Sequence, residues 1–284
     1  MKEGKPSATA HRVAIRRAAH QIFDDPLVLD DPIAVPILGP EVAGRIKAGK
    51  LAQQSRAARY SRAFMVARSR YAEDELARAI GRGAAQYVIL GAGLDTFAYR
   101  NPHPASVLRV FEVDYPATQA WKRSQLEAGG IAVPESLTFA PVDFEKQSLA
   151  DGLAAAGFDR SEATFFSWLG VTMYLTREAM RATLALIASL PAGSGVVFDY
   201  AVPRESLNWF GRFVFDRVAQ RVAAAGEPFQ LFFEPKALAA ELREIGFKSF
   251  EDVGSAELNA LYFANRNDNL RVGGRLGRLM KAQV

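Results

Sequence analysis

The sequence predicts an α/β protein with a Rossmann-like, doubly wound sheet, and three observations predict it. The stretch Gln86–Asp114, QYVILGAGLDTFAYRNPHPASVLRVFEVD, runs strand, glycine turn, short helix, strand, acid. That is the first half of a nucleotide-binding βαβ unit. Apolar runs of strand length then alternate with helical stretches as far as Ala264. The run Phe165–Leu169 carries no charge, as a strand buried on both faces requires.

Taken in order, Ser7–Phe23 has helical periodicity, with Val13, Ala14, Arg17, Ala18 and Phe23 able to share a side. It stops at Asp24-Asp25-Pro26, and Asp30-Asp31-Pro32 starts a second short helix with proline in its first turn. Residues 1–60 precede the first strand, so they are expected to pack outside the sheet as a helical cap over the ligand mouth. Gln53–Ile80 reads as one long helix or a broken pair. The strand Tyr87–Leu90 ends at Gly91-Ala92-Gly93, and Asp95-Thr96 can cap a new short helix. Val107–Val113 is the second strand and closes on Asp114.

Tyr115–Ala128 reads as a helix, and Pro134–Val142 as a strand leading into Asp143-Phe144. Glu145–Ala156 is the next helix, for which Asp143 can act as a cap. Arg177–Leu190 is an amphipathic helix closed by Pro191-Ala192-Gly193, and Gly195–Tyr200 is the fifth strand. The helix Leu207–Ala225 carries Trp209, Phe210, Phe213 and Phe215, an aromatic set that serves either the core or a pocket wall. With Phe229–Phe233 it makes a cap insertion near 204–233. Pro235–Ile245 is helical, a sixth strand follows Gly246, and Leu258–Ala264 is assigned as the seventh. Residues 61–284 then form one ligand-binding domain beside the N-terminal cap.

The glycines have a physical task. Without side chains, Gly91 and Gly93 permit a tight turn and let a ligand lie against the backbone. Asp114 stands about 20 residues further on, where an acid can hydrogen-bond a ribose hydroxyl. A GxGxxG fingerprint needs glycine where Thr96 stands, and no GxxxxGK[ST] loop is present. A nucleoside ligand without pyrophosphate suits the unit, and S-adenosyl-L-methionine is the commonest of these. Thr96 opposes a nicotinamide oxidoreductase.

Composition narrows the classes further. At 284 residues without cysteine, the chain needs no disulfide or metal staple and has no thiolate chemistry. His11, His20 and His103 lack metal-ligand spacing, so no metal is expected. Net charge is +4, but the first 20 and last 19 residues hold a surplus of eight positive charges. Residues 21–265 sum to about −4, which argues against a nucleic-acid groove, and the basic ends read as solvated tails. Met1–His20 has no apolar segment of signal type, and Ala163–Thr176 is too short to cross a bilayer. A cytoplasmic protein with no membrane contact is the expectation.

Five motifs in order, VARSRYAEDEL, QYVILGAGLDTFAYR, VFEVDYPATQAWK, PVDFEKQSL and FFSWLGVTMYLT, run from Val66 to Thr176. In them the chain resembles the leucine carboxyl methyltransferase family, a branch of the class I S-adenosylmethionine-dependent methyltransferases, and most of all its bacterial O-methyltransferase branch. The resemblance implies a seven-stranded, mostly parallel sheet with helices on both faces and a helical cap. It also implies that Arg68 takes the methionine carboxylate of the cofactor, which suits the planar, always charged guanidinium. An arginine paired with Glu73 or Asp74 is the competing reading. Asp143 and Phe144 fall where the family binds adenine, and Asp143 as a plain helix cap competes. Arg17, in the run RRAAH, can reach a substrate carboxylate under the cap or stay solvated on its helix.

One departure matters. The carboxyl methyltransferases carry Glu five residues before the tyrosine, and here Leu169 precedes Tyr174. Leu169 keeps its place at the cofactor site but loses a polar contact. That puts the alternative substrate, a protein C-terminal carboxylate, in doubt.

Methyl transfer from a cationic sulfur asks the protein chiefly to align the groups and exclude water. A carboxylate acceptor needs no base, whereas a hydroxyl benefits from one. No catalytic base is assigned: His11 and His20 read as helix-surface residues, and Tyr174 touches substrate or merely packs. The expected activity is O-methylation of a carboxylate or hydroxyl on a small, partly apolar molecule, as in polyketide-type secondary metabolism. A silent cofactor-binding module is the alternative from another class. An exposed aromatic cap would also offer a homodimer face.

Overall fold

The computed structural model describes residues 8–51, 53–143, 147–224 and 228–284. Seven strands form one sheet: β1 (Gln86–Leu90), β2 (Arg109–Asp114), β3 (Leu137–Pro141), β4 (Thr164–Trp168), β5 (Gly195–Ala201), β6 (Ser249–Val253) and β7 (Gly277–Gln283). Their order is β3-β2-β1-β4-β5-β7-β6, parallel except for β7, which is antiparallel to both neighbours. The chain leaves β1 for β2 on one side and reaches β4 on the other. The carboxyl ends of β1 and β4 are therefore the switch point of the sheet, where open α/β folds place their ligands.

The central strands β1, β4 and β5 are buried along their whole length because both faces of the sheet are covered. Val88 and Leu90 of β1 point to the face packed by α5 (Leu149–Ala155), α6 (Arg177–Ala188) and α8 (Pro235–Ile245). Tyr87 and Ile89 point to the opposite face, packed by α3 (Arg56–Gly81) and α9 (Ser255–Tyr262). A third cluster joins α1 (Ala8–Phe23), α2 (Gly39–Lys47) and α4 (Pro116–Ala128) through Ala14, Ala18, Ile46, Leu94 and Leu126. The aromatic α7 (Trp209–Ala224) lies between β5 and α8. Its Phe215 packs inward, while Trp209 and Phe213 face outward.

Several expectations are corrected. Leu258–Ala264 is not a strand: α9 covers most of it, because Leu258, Leu261 and Tyr262 have helical spacing and Glu257 bonds back to the Gly254 N–H. The seventh strand is β7, inside the supposed solvated tail, with Leu279, Met280 and Ala282 fully buried. No helix starts at Pro32. A single 3-10 turn, Pro36–Leu38, precedes α2. His20 is not at the surface. It is fully buried, its Nδ1 2.8 Å from Asp24 and its Nε2 accepting from the Val28 N–H.

Candidate active site

The glycine turn is built as its sequence requires. Gly91 and Gly93 have φ of +66° and +50°, in the left-handed region where a Cβ is strained. A Cβ on Gly91 would also drive into the Val171 side chain, and one on Gly93 would come within 3.0 Å of Ala10 of α1. The N-terminal helix thus lies directly over the turn. Asp114, at the end of β2, accepts the Gly93 N–H at 2.5 Å and the Tyr115 N–H at 2.7 Å. Burial raises its pKa above the ordinary carboxylate value, and the two N–H donors oppose that rise.

Behind the turn lies a buried layer of charge. Arg17 of α1 donates to Asp95 at 3.0 Å, Asp31 at 2.8 Å and Thr96 at 2.7 Å. Its guanidinium is not solvated: it is buried, ties α1 to the glycine loop, and leaves Nε without a hydrogen-bond partner among the described residues. Asp95 is not a helix cap in the usual sense, although its Oδ1 accepts the Phe97 N–H. Burial would raise its pKa, but Arg17 and Lys122 outweigh that and hold it low. Lys122 of α4 donates to the Asp95 carbonyl and to Glu112 of β2, each at 2.6 Å. Burial pushes Glu112 up to about 7, against the pull of Lys122.

Arg68 does not pair with Glu73 or Asp74, which bind Arg100 and Arg70 instead. It leaves α3 toward the end of β4 and donates from Nη1 to Asp199 of β5 at 2.5 Å. Its Nε is buried without a hydrogen-bond partner among the described residues. Asp199 also accepts the Gly170 N–H at 2.6 Å, and Gly170 is in the left-handed region with φ +78°. A Cβ there would stand 3.0 Å from Arg68 Nη2. Leu169 is half-buried against the α3-side core. Gly91, Gly93, Asp114, Arg68 and Leu169 thus gather at the carboxyl ends of β1, β2 and β4.

Asp143 follows β3, and its carbonyl accepts the Gln147 N–H. It does not cap α5, which begins at Leu149 with Ser148 as its cap. Phe144 and residues 145–146 lie outside the described residues, as does the Phe210 side chain. Tyr174 sits in a 3-10 turn after β4, its ring 5.5 Å from Phe229, and Phe229 and Phe232 pack on Phe215 of α7. Among the described residues there is no group of three potential metal ligands. No described helix is long and apolar enough to cross a membrane.

The donor set fits S-adenosyl-L-methionine. Asp114 has spent one lone pair per oxygen on the backbone and can still accept ribose hydroxyls. The orphaned Nε of Arg68 is a buried donor that a carboxylate would satisfy. Asp199 is the residue that sequence reasoning missed, although a lone acid in the apolar run VVFDY was a visible signal.

A doubly wound sheet with a reversed seventh strand, a glycine turn after β1 and an acid closing β2 defines a class I methyltransferase. The leucine carboxyl methyltransferase model matches residues 10–188, and the chain belongs to that family of S-adenosylmethionine-dependent enzymes. It is 35% identical over 295 residues to "Putative S-adenosyl-L-methionine-dependent methyltransferase YktD" of Bacillus subtilis (strain 168), covering 95% of each chain. A Mycobacterium sp. (strain JLS) protein of like name is 34% identical over 69% of this chain and 67% of its own length. Among solved structures, a "putative methyltransferase" from Thermobifida fusca YX aligns with TM-score 0.56 and 15% identity, covering 99% of this chain and 96% of that one. A DUF574 family protein from Streptomyces avermitilis MA-4680 gives 0.54 at 17% identity, over 96% and 97%. These two likenesses concern the fold.

Proposed function

We propose that this methyltransferase acts on an oxygen, a carboxylate or hydroxyl, of a small and partly apolar molecule. S-adenosylmethionine supplies an electrophilic methyl group on a cationic sulfur when bound. The observation that carries the cofactor half is Asp114, locked by its own carboxylate to the Gly93 N–H at 2.5 Å. In this reading Asp114 holds the ribose, Gly91 and Gly93 supply the left-handed turn that places it while Val171 and Ala10 fill the space their side chains would take, and Arg68 takes the carboxylate of the amino-acid tail. Asp143 marks the adenine side.

The acceptor side is supported by the aromatic group of Tyr174, Phe229, Phe232 and Phe215, beside the turn after β4. Such a wall excludes water and favours an apolar body, leaving one oxygen to face the methyl group. No side chain is assigned as a base: His20 is committed to Asp24 and the Val28 N–H, and His11 packs edge-on to Trp121. An acidic oxygen, already ionised, is the acceptor that needs no proton removed. Calorimetry with S-adenosylhomocysteine tests the first half, and absence of binding overturns it. A search for labelled products from a methyl-labelled donor tests the second, and label found only on nitrogen or carbon overturns it.

A further inference from the structure

We propose that Asp199 is the positioning residue for the amino-acid end of the cofactor, acting by orienting Arg68 and balancing its charge. The inference rests on the cofactor reading above and adds a residue to it. β5 reads GVVFDYA and is buried along its whole length, so an acid there has an unfavourable setting unless it is paired. Asp199 is paired twice, with Arg68 Nη1 through Oδ2 and with the Gly170 N–H through Oδ1. Its carbonyl also accepts the Thr172 hydroxyl. One residue thus joins α3, β5 and the turn at the carboxyl end of β4.

The arrangement constrains the guanidinium from three sides. Asp199 holds Nη1, the Gly170 backbone borders Nη2, and the Phe64 ring centroid lies 6.0 Å from the guanidinium carbon. The remaining nitrogen is Nε, buried and without a partner among the described residues. An arginine takes a carboxylate best through a fork of two parallel N–H groups, and Nε belongs to such a fork. The Asp199–Arg68 pair is neutral as a unit, and so is the α-amino-acid end of the ligand. A zwitterion can enter without leaving net charge in the cleft, whereas Arg68 alone would leave the ammonium uncompensated. Leu169, at the neighbouring strand end, brings no charge to share in this task.

The test separates the tail from the nucleoside. Affinities for S-adenosylhomocysteine and for 5′-methylthioadenosine, which lacks the amino-acid tail, are measured on wild type, D199N and R68K. Expected for D199N is a loss on the order of 10- to 100-fold for the first ligand, typical when a group that orients a binding side chain is removed. Methylthioadenosine affinity should change less than about two-fold, since additive behaviour holds for groups with no shared partner. In the double variant R68K/D199N the losses should not add. Equal loss for both ligands, or none for either, overturns the proposal, because a merely structural acid would move both alike. Wild type binding neither ligand would instead defeat the cofactor reading. Should D199N not fold, D199E keeps the charge but displaces the guanidinium, and the same ratio is read on it.

Discussion

Asp114 couples the shape of the glycine turn to the ligand the turn can hold. Replacing it with alanine frees the Gly93 N–H and removes the ribose acceptor together. Charge-assisted bonds of this kind are worth about 1.5–3 kcal/mol, so D114A should bind S-adenosylhomocysteine roughly 10- to 100-fold more weakly by calorimetry. Retained affinity would refute the ribose assignment. Two residues earlier, Glu112 offers a pH test. Its folded pKa is raised to about 7 by burial, so its charged form is less favourable folded than unfolded. The folded state therefore holds the proton more tightly, and this group's contribution to stability falls as pH rises from the ordinary carboxylate value to about 7. E112Q should remove that slope, so its stability relative to wild type rises across this window in urea titrations. An unchanged difference at all pH values would contradict the assignment. Gly91, Gly93 and Asp114 were legible because they lie within one short stretch. The partners of Arg17 and Arg68 were not, because Asp95 and Asp199 stand 78 and 131 residues away. Sequence shows the lone charges but not who neutralises them.

At the scale of elements, the cap is fastened by buried polar contacts rather than by apolar area alone. Arg62 of α3 grips Asp24 with two bonds of 2.7 Å, and His20 of α1 holds the same carboxylate. Removing one partner of such a buried pair strands the other charge at a cost of about 3–5 kcal/mol. R62A should accordingly lower unfolding stability by that order and loosen α1, seen as faster amide exchange from Ala14 to His20. The glycine turn is a second joint, because α1 rests on it through Ala10. G91A would impose both a strained φ and a clash with Val171, costing about 1–3 kcal/mol for the backbone alone. Loss of cofactor binding with modest loss of melting temperature is the expected signature. Most helices were readable from periodicity, and α8 matches its reading end to end. The exchange of α9 for a strand is instructive. LNALYFA is a short apolar run that either period can fit, and the deciding contact, Glu257 to the Gly254 N–H, lies just outside it.

At the scale of the molecule, the sheet depends on the last strand the chain makes. β7 pairs along its whole length with β5 and over five residues with β6, so it alone connects β6 to the rest of the sheet. Its side chains serve both faces: Met280 and Ala282 join the α5–α6–α8 core, and Leu279 joins the α3–α9 core. Arg278 adds an ion pair to Asp252 of β6. This was hidden in the sequence because GRLMKAQ has three polar residues among seven and comes after a basic run. Its alternation is half-buried only when β5 and β6 are already there to receive it. A chain ending at Arg275 tests the point. It would leave β5, an entirely buried strand, with an open edge able to pair with other chains. Expected are loss of the cooperative urea transition and concentration-dependent aggregation, read by circular dichroism and light scattering. A truncated chain that unfolds in one sharp transition with the wild-type m-value would show that β7 is dispensable, since m tracks the surface exposed on unfolding.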